Sequence, residues 1–426
     1  MSDDSNDTVK PSRRGFLAGA GGLLAAAGAT AAAGQPSVAA DAPAAPPVDK
    51  QKATEPFFGP RQAGIETSQQ SHTYVAALDL ATTKRDDIIG MLKTWTRAAA
   101  NMTAGKFAAP MNQDLAAPGA DSNEASGLAP ARLTLTFGFG AGMFVKDGKD
   151  RYGLAAHRPE AMVDLPRFNG DQLVDTKTGG DLSIQACADD PQVAFHAVRQ
   201  LVRLAYGAAD MRWTQSGFLS TPQTGGTPRN LMGFKDGTGR PTDLDKFVWV
   251  GDEGKWMKGG SYAVVRRIRI ALEHWDRTEV DFQEQVIGRQ KYSGAPIGGK
   301  KEFDKIDFDA ADKDGNPIIA DTAHLRLAHA STNGGAQILR RGYSYNDGVN
   351  FTAERWPPWR QGMEYDAGLL FVAYQRDPRT GFIKIFEKMS KLDMLNQFVT
   401  HTGGGLFACP RGVADGEYIG QPLFEI

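Results

Sequence analysis

The sequence predicts an α+β protein made of two ferredoxin-like domains, of the dimeric α+β barrel type, with antiparallel sheets. Three observations predict it. Segments of period-two hydrophobicity and segments of helical spacing follow one another as strand, helix, strand, strand, helix. The stretch LSIQACADDPQVAF, residues 182–195, returns 187 residues later as LLFVAYQRDPRTGF, residues 369–382. The chain has 426 residues, 41% apolar and 23% charged, enough for two or three domains and a substantial core.

The N-terminus precedes the fold. In SRRGFLAGAGGLLAAAGATAAAG the pair Arg13 and Arg14 leads into a weakly apolar run that is too short for a stable membrane span. Small residues in PSVAA suit a signal peptidase, with cleavage near Ala39 or Ala40. The string S-R-R-x-F-L resembles the twin-arginine export signal, against the plainer reading of a disordered basic leader. That resemblance implies export of an already folded protein to the periplasm or the extracellular space, and places a signal peptide at 1–40. Residues 41–59, rich in Pro and Ala, read as a linker. The two domains are then expected at 60–225 and 226–426.

Each element has its own pattern. HTYVAALDL (72–80) and ARLTLTFGF (131–139) alternate as half-buried strands do, and SYAVVRRIRIAL (261–272) reads as the second-half counterpart of 131–139. Helical spacing runs through 83–102 and 191–208. In each copy of the repeat an apolar strand breaks at Asp-Pro and continues into a helix. The halves differ in spacing: 51 residues separate Ala131 from Leu182, and 108 separate Ser261 from Leu369. A long insertion in the second half is therefore expected to carry function.

Composition excludes several classes. A formal charge of −2 gives no basic surface for nucleic acid. Two cysteines, Cys187 and Cys409, are too few for a disulfide framework or a zinc site, and Cys187, on an apolar strand, reads as a buried thiol. No C-x-x-C-H occurs, so a haem would not be held through thioethers.

Two stretches concentrate the unusual chemistry. RNLMGFKDGTGRP (229–241) sets one carboxylate, Asp236, among glycines, where a backbone can approach a ligand closely or simply turn at the surface. DTAHLRLAHASTNGGAQILRRGYSY (321–345), inside the insertion, offers His324, His329, Arg340 and Arg341. Two histidines five residues apart do not share a helix face, so a metal held by both is not expected, and either alone reads as a hydrogen-bonded structural residue or as a ligand.

GFKDGTGRP, HLRLAH followed by ILRRGYSY, IGRQKYSGAPIG (287–298) and DAGLLFVAYQ (366–375) resemble the dye-decolorizing peroxidases, a haem b family, from about residue 57 to the C-terminus. With the export signal, the likeness is nearest to the deferrochelatase/peroxidase branch. The resemblance implies one non-covalent haem b, with His324 as the proximal iron ligand and Asp366 accepting from its other ring nitrogen. It implies that Asp236 and Arg340 act catalytically across the macrocycle, one moving a proton and the other supplying fixed charge. Gly237, Thr238, Gly239, His329, Ala330, Ser331 and Arg340 are the expected cofactor contacts; the motif register favours Arg340 over Arg341. His329 stands where asparagine is common in the family. A carboxylate relay implies an acidic optimum.

The implied partners are hydrogen peroxide, small organic reductants or haem, and components of an iron-uptake system; a homo-oligomer is compatible with the sequence. The aromatic cluster Trp356, Trp359 and Tyr365 reads either as packing or as an electron route to bulky dyes. Rival readings are a deferrochelatase that frees iron while sparing the porphyrin, a non-catalytic haem carrier, and a scaffold without cofactor.

Overall fold

Strand pairing explains where the long insertion goes. The computed structural model describes residues 53–223, 225–353 and 361–426; the export signal and the residues Trp356 and Trp359 lie outside them. Among the described residues the strands are β1 (His72–Leu80), β2 (Thr134–Phe139), β3 (Leu182–Ala188), β4 (Ala209–Phe218), β5 (Ser261–Ile270), β6 (Leu339–Arg340), β7 (Tyr343–Ala353), β8 (Gln361–Gln375) and β9 (Val399–Cys409). Their order is β5-β9-β2-β3-β1-β4-β7-β8-β6, antiparallel throughout, and β5 also pairs with β8, so the sheet closes on itself. Two seams are narrow, a single pair each: Phe139 with Ala408 and Phe218 with Ser344.

Between the seams lie two four-stranded sheets, β4-β1-β3-β2 and β9-β5-β8-β7. In both, the fourth, first, third and second strands of the half lie side by side. This order corrects one expectation. The strand at 261 is the counterpart of β1, and β7 is the counterpart of β2, because β5 lies between the fourth and third strands of its half, as β1 does in its own. In the first half α1 (Arg85–Thr103) joins the first strand to the second. In the second half that connection is the whole of residues 271–342.

Alternation along the strands builds two separate cores. Ala76, Leu78, Leu135, Phe137 and Ile184 face outward onto α1 and α2 (Pro191–Leu204), packing with Ile88, Leu92, Trp95, Val198 and Leu201. The Trp95 indole donates to the Leu201 carbonyl at 2.8 Å and ties the two helices. Val75, Ala77, Cys187, Val265, Tyr343, Tyr345, Leu370, Val372, Tyr374 and Phe407 face inward and fill the barrel. Each fully buried large apolar side chain of this kind contributes about 1.5–3 kcal/mol.

The repeated Asp-Pro does different work in its two copies. Asp190 accepts from the amides of Gln192 and Val193 at 2.8 and 3.0 Å, with Pro191 at the first helical position, so α2 starts capped. Asp377 instead binds the Arg379 amide and guanidinium, and a π-helical turn, Arg379–Ile383, precedes the helix at Lys384–Leu392. Among the described residues no helix is long and apolar enough to cross a membrane.

Candidate active site

The loop bearing Asp236 is a hairpin fastened on its apolar side. Asn230 turns it: its side-chain oxygen accepts from the amides of Met232 and Phe234, and Gly233 takes φ +84°, which favours glycine. Met232 and Phe234 are buried against Ile270, Trp275, Val286, Ile287 and Phe398. The Asp236 amide donates to the Pro228 carbonyl at 2.9 Å, and Gly237 follows with φ +115°. A carboxylate in a glycine-rich turn is therefore held from below and presented on one face.

That face meets β6. Arg340 donates from Nη1 to Asp236 Oδ1 at 3.0 Å. Its neighbour Arg341 points the other way. Arg341 is buried and donates to the Thr67 carbonyl and, at 2.8 Å, to Gln70 Oε1. Period-two alternation separates the pair: Leu339 and Arg341 turn toward the barrel side, Arg340 away from it.

His324 opens α3 (His324–Ala328), in the segment that replaces the second-half crossover helix. Its Nδ1 lies 2.7 Å from Oδ2 of Asp393, which is buried just after α4 (Lys384–Leu392) and caps the next turn by accepting from the Leu395 amide. A carboxylate only accepts, so Nδ1 carries the proton, and the neutral ring keeps a lone pair on Nε2. Burial pushes the imidazole down, but Asp393 more than offsets it, and the net pKa is raised above 6.5.

Asp366, expected to be that acceptor, is not. It accepts from Arg267 Nη2 and from Asn350 Nδ2, both at 2.8 Å. The reason is parity along β8. Asp366 shares a face with Leu370, Val372 and Tyr374, which fill the barrel, whereas Leu369 and Phe371 face the site.

A cavity of about 520 Å³ gathers the site. Asp236, Gly237, Thr238, Gly239, His324, His329, Ala330 and Arg340 all line it. Ser331 does not: it is exposed and turns its hydroxyl to His329 Nδ1 at 2.8 Å. The walls are apolar where Ile268, Leu369, Phe371 and Phe386 stand, and Arg240 and Arg289 add positive charge. The imidazole of His324, about a third exposed, opens into this space. Beyond Gly239 a Cβ would meet nothing within 4 Å, so the main chain itself borders open space there.

Residues 62–219 match the Dyp-type peroxidase N-terminal family and residues 227–414 the Dyp-type peroxidase C-terminal family. A dye-decolorizing peroxidase of Thermobifida fusca (strain YX) is 37% identical, with the whole of each chain covered. This chain belongs to the Dyp-type peroxidase family. A deferrochelatase of Escherichia coli O157:H7 is 34% identical over all of this chain and 99% of its own. Among solved structures, ferric DtpA from Streptomyces lividans is 38% identical, covers 90% of this chain and 100% of its own, and has a TM-score of 0.80. A DyP-type peroxidase from Cellulomonas bogoriensis is 36% identical, covers 88% and 99%, and has a TM-score of 0.78.

Several residues around the cavity of this Dyp-type peroxidase were not legible beforehand. Asp393 follows a helix with no motif around it, and its role depends on a turn that brings it 69 positions back to His324. Arg240, Arg289, Glu302 and His401 also line the cavity. His401 is buried, with no hydrogen-bond partner for Nδ1 among the described residues; burial and then Arg266 push its pKa down to about 3. Elsewhere, Asp121, Glu124 and His196 are the one described group of such residues close enough to share a metal. They lie in the first half, where Asp121 and Glu124 flank the two ring nitrogens of His196 at 3.5 and 3.2 Å.

Proposed function

We propose that this Dyp-type peroxidase binds one haem b non-covalently, reduces hydrogen peroxide and oxidises small organic donors. One observation carries the reading: an imidazole backed by a buried carboxylate and a paired carboxylate and guanidinium line the same cavity. The volume suits a cofactor, since ligand pockets run at roughly 300–1,000 Å³. The donor set also fits, because an iron-ligating histidine characteristically donates its other ring nitrogen to a carboxylate. His324 would hold the iron, and Arg240 and Arg289 would attract the carboxylates at the macrocycle's edge. Haem supplies the redox chemistry when bound.

The remaining work falls to side chains of this chain. With haem supplying the electrons, Asp236 would take a proton from one oxygen of peroxide and deliver it to the other, which leaves as water. Arg340 acts by orienting the Asp236 carboxylate and by fixed positive charge in the cavity. Ile268, Leu369, Phe371 and Phe386 give the cavity an apolar wall for a flat, largely apolar cofactor.

The test is the absorption spectrum of the purified protein before and after one equivalent of peroxide. A Soret band that responds to peroxide is expected, with Asp236→Asn keeping the band and losing turnover by about 10²–10⁴-fold. A protein without the band, or a variant with undiminished turnover, overturns the reading.

The full-length likeness to a deferrochelatase supports a second reading, release of iron from haem with the porphyrin intact, in iron uptake. Incubation with haem under reducing conditions would then yield protoporphyrin, and its absence removes this reading. The S-R-R-x-F-L string supports twin-arginine export to the periplasm. The shared strand order of the halves supports two ferredoxin-like domains, and the family limits at 219 and 227 support a division near 225.

A further inference from the structure

We infer that Glu302 is the positioning residue of Asp236: a carboxylate delivered by the second-half insertion that fixes the catalytic loop on both sides of the catalytic acid. The inference rests on the peroxidase reading for its functional consequence.

Glu302 is 8% exposed and lines the cavity beside the loop. Its Oε2 accepts from Lys235 Nζ at 2.6 Å, and its Oε1 accepts from Thr238 Oγ1 at 2.9 Å and from the Thr227 hydroxyl. Lys235 immediately precedes Asp236, and Thr238 follows it by two. One side chain therefore brackets the acid.

The loop needs such a brace. Gly237 and Gly239 have no side chain to anchor, and the positive φ of Gly237 gives the backbone wide freedom. On the Asp236 side chain, the hydrogen bond found among the described residues is the one to Arg340. Without Glu302, Lys235 and two hydroxyls lose a shared acceptor, and nothing on the loop replaces it. The charge is also managed. Lys235, paired with Glu302 at 2.6 Å, neutralises its charge beside the loop. The same insertion grips the loop's other end, where Arg229 donates to the carbonyls of Lys291 and Tyr292 at 2.6 and 2.8 Å. The absence of this segment from the first half, where α1 stands in its place, fits a device belonging to the site rather than to the fold.

The test uses Glu302→Ala and Glu302→Gln, each alone and with Asp236→Asn. Amide exchange at residues 235–239 is followed in the cofactor-free protein, and the second-order rate with peroxide in the haem-loaded protein. Expected for Glu302→Ala are faster exchange at those amides, a retained Soret band, and a rate about 10- to 100-fold lower, the usual effect of misplacing a catalytic group by an ångström. Glu302→Gln, which fills the same volume and keeps one accepting oxygen, restores part of both, and carries the test should the alanine variant fail to fold. In the Asp236→Asn background Glu302→Ala lowers the rate little further. Equal losses in both backgrounds, or unchanged exchange and rate, overturn the inference. A wild-type protein without peroxide turnover would overturn the peroxidase reading instead, while the exchange result still judges the brace.

Discussion

Nδ1 of His324 and Oδ2 of Asp393 stand 2.7 Å apart, one at the start of α3 and the other just beyond α4. The carboxylate is buried and its other oxygen accepts from the Leu395 amide, so its position is fixed from two sides. This geometry holds the imidazole in one tautomer and makes it a stronger donor through Nε2. Asp393→Asn keeps the shape and removes the charge. We predict that it retains haem, raises the iron reduction potential, and lowers peroxide turnover by about 10- to 100-fold. Spectroelectrochemistry and steady-state kinetics check it; an unchanged potential would show that Asp393 serves only the turn that it caps.

The adjacent arginines should fail differently. Arg340→Leu removes charge from the cavity and leaves Asp236 without its partner, so peroxide turnover falls while the melting temperature changes little. Arg341→Leu leaves the Thr67 carbonyl and Gln70 without their donor inside the barrel. Its expected cost is about 1–3 kcal/mol of stability, with turnover per folded molecule retained. Melting curves and kinetics on both variants separate the two roles.

This contrast shows how far the sequence could be read. Asp236, His324 and Arg340 lie within short motifs whose glycines and charges are unusual enough to stand out, and the cavity brings all three together. Asp366 was misplaced for a reason the sequence already contained. Its parity with Leu370, Val372 and Tyr374 puts it on the barrel side of β8, and the aspartate that does serve His324 comes from a turn without periodic pattern. The strands themselves were legible from alternation. Their pairing was not, because alternation alone does not say which first-half strand β5 corresponds to; its hydrogen-bonded neighbours β8 and β9 assign it. Glu302 stayed hidden among the charges of KKEFDK, where nothing local distinguishes a buried acid from a solvated one.

The thiols offer a separate check on barrel packing. Cys187 and Cys409 are both free and buried, and burial pushes the Cys409 thiol up to about 12. Both thiols are closed off from solvent, so a disulfide reagent should label neither residue in the native protein and both after unfolding. Rapid labelling of the native state would mean that a seam at Phe139–Ala408 or Phe218–Ser344 opens on that timescale.

His401 predicts how stability depends on pH. Its ring packs 4.7 Å from that of Phe386, with the Arg266 guanidinium nearby, itself joined to Asp171 at 3.4 Å. The folded pKa is about 3 against an ordinary 6.5, so the sign follows from proton counting. Above pH 6.5 neither state protonates the ring and the full stability is present. As pH falls toward 3 the unfolded chain takes up a proton that the fold refuses, and stability drops by roughly 1.4 kcal/mol per unit, a few kcal/mol at most. Below about 3 both states are protonated and this contribution stops changing. His401→Phe removes the titration and keeps an aromatic ring against Phe386. The loss of melting temperature between pH 7 and pH 4 should therefore be smaller in the variant than in the wild type, measured on the cofactor-free protein. An equal loss in both would assign the acid sensitivity to other groups and show that the fold opens to hydrate His401 before it unfolds.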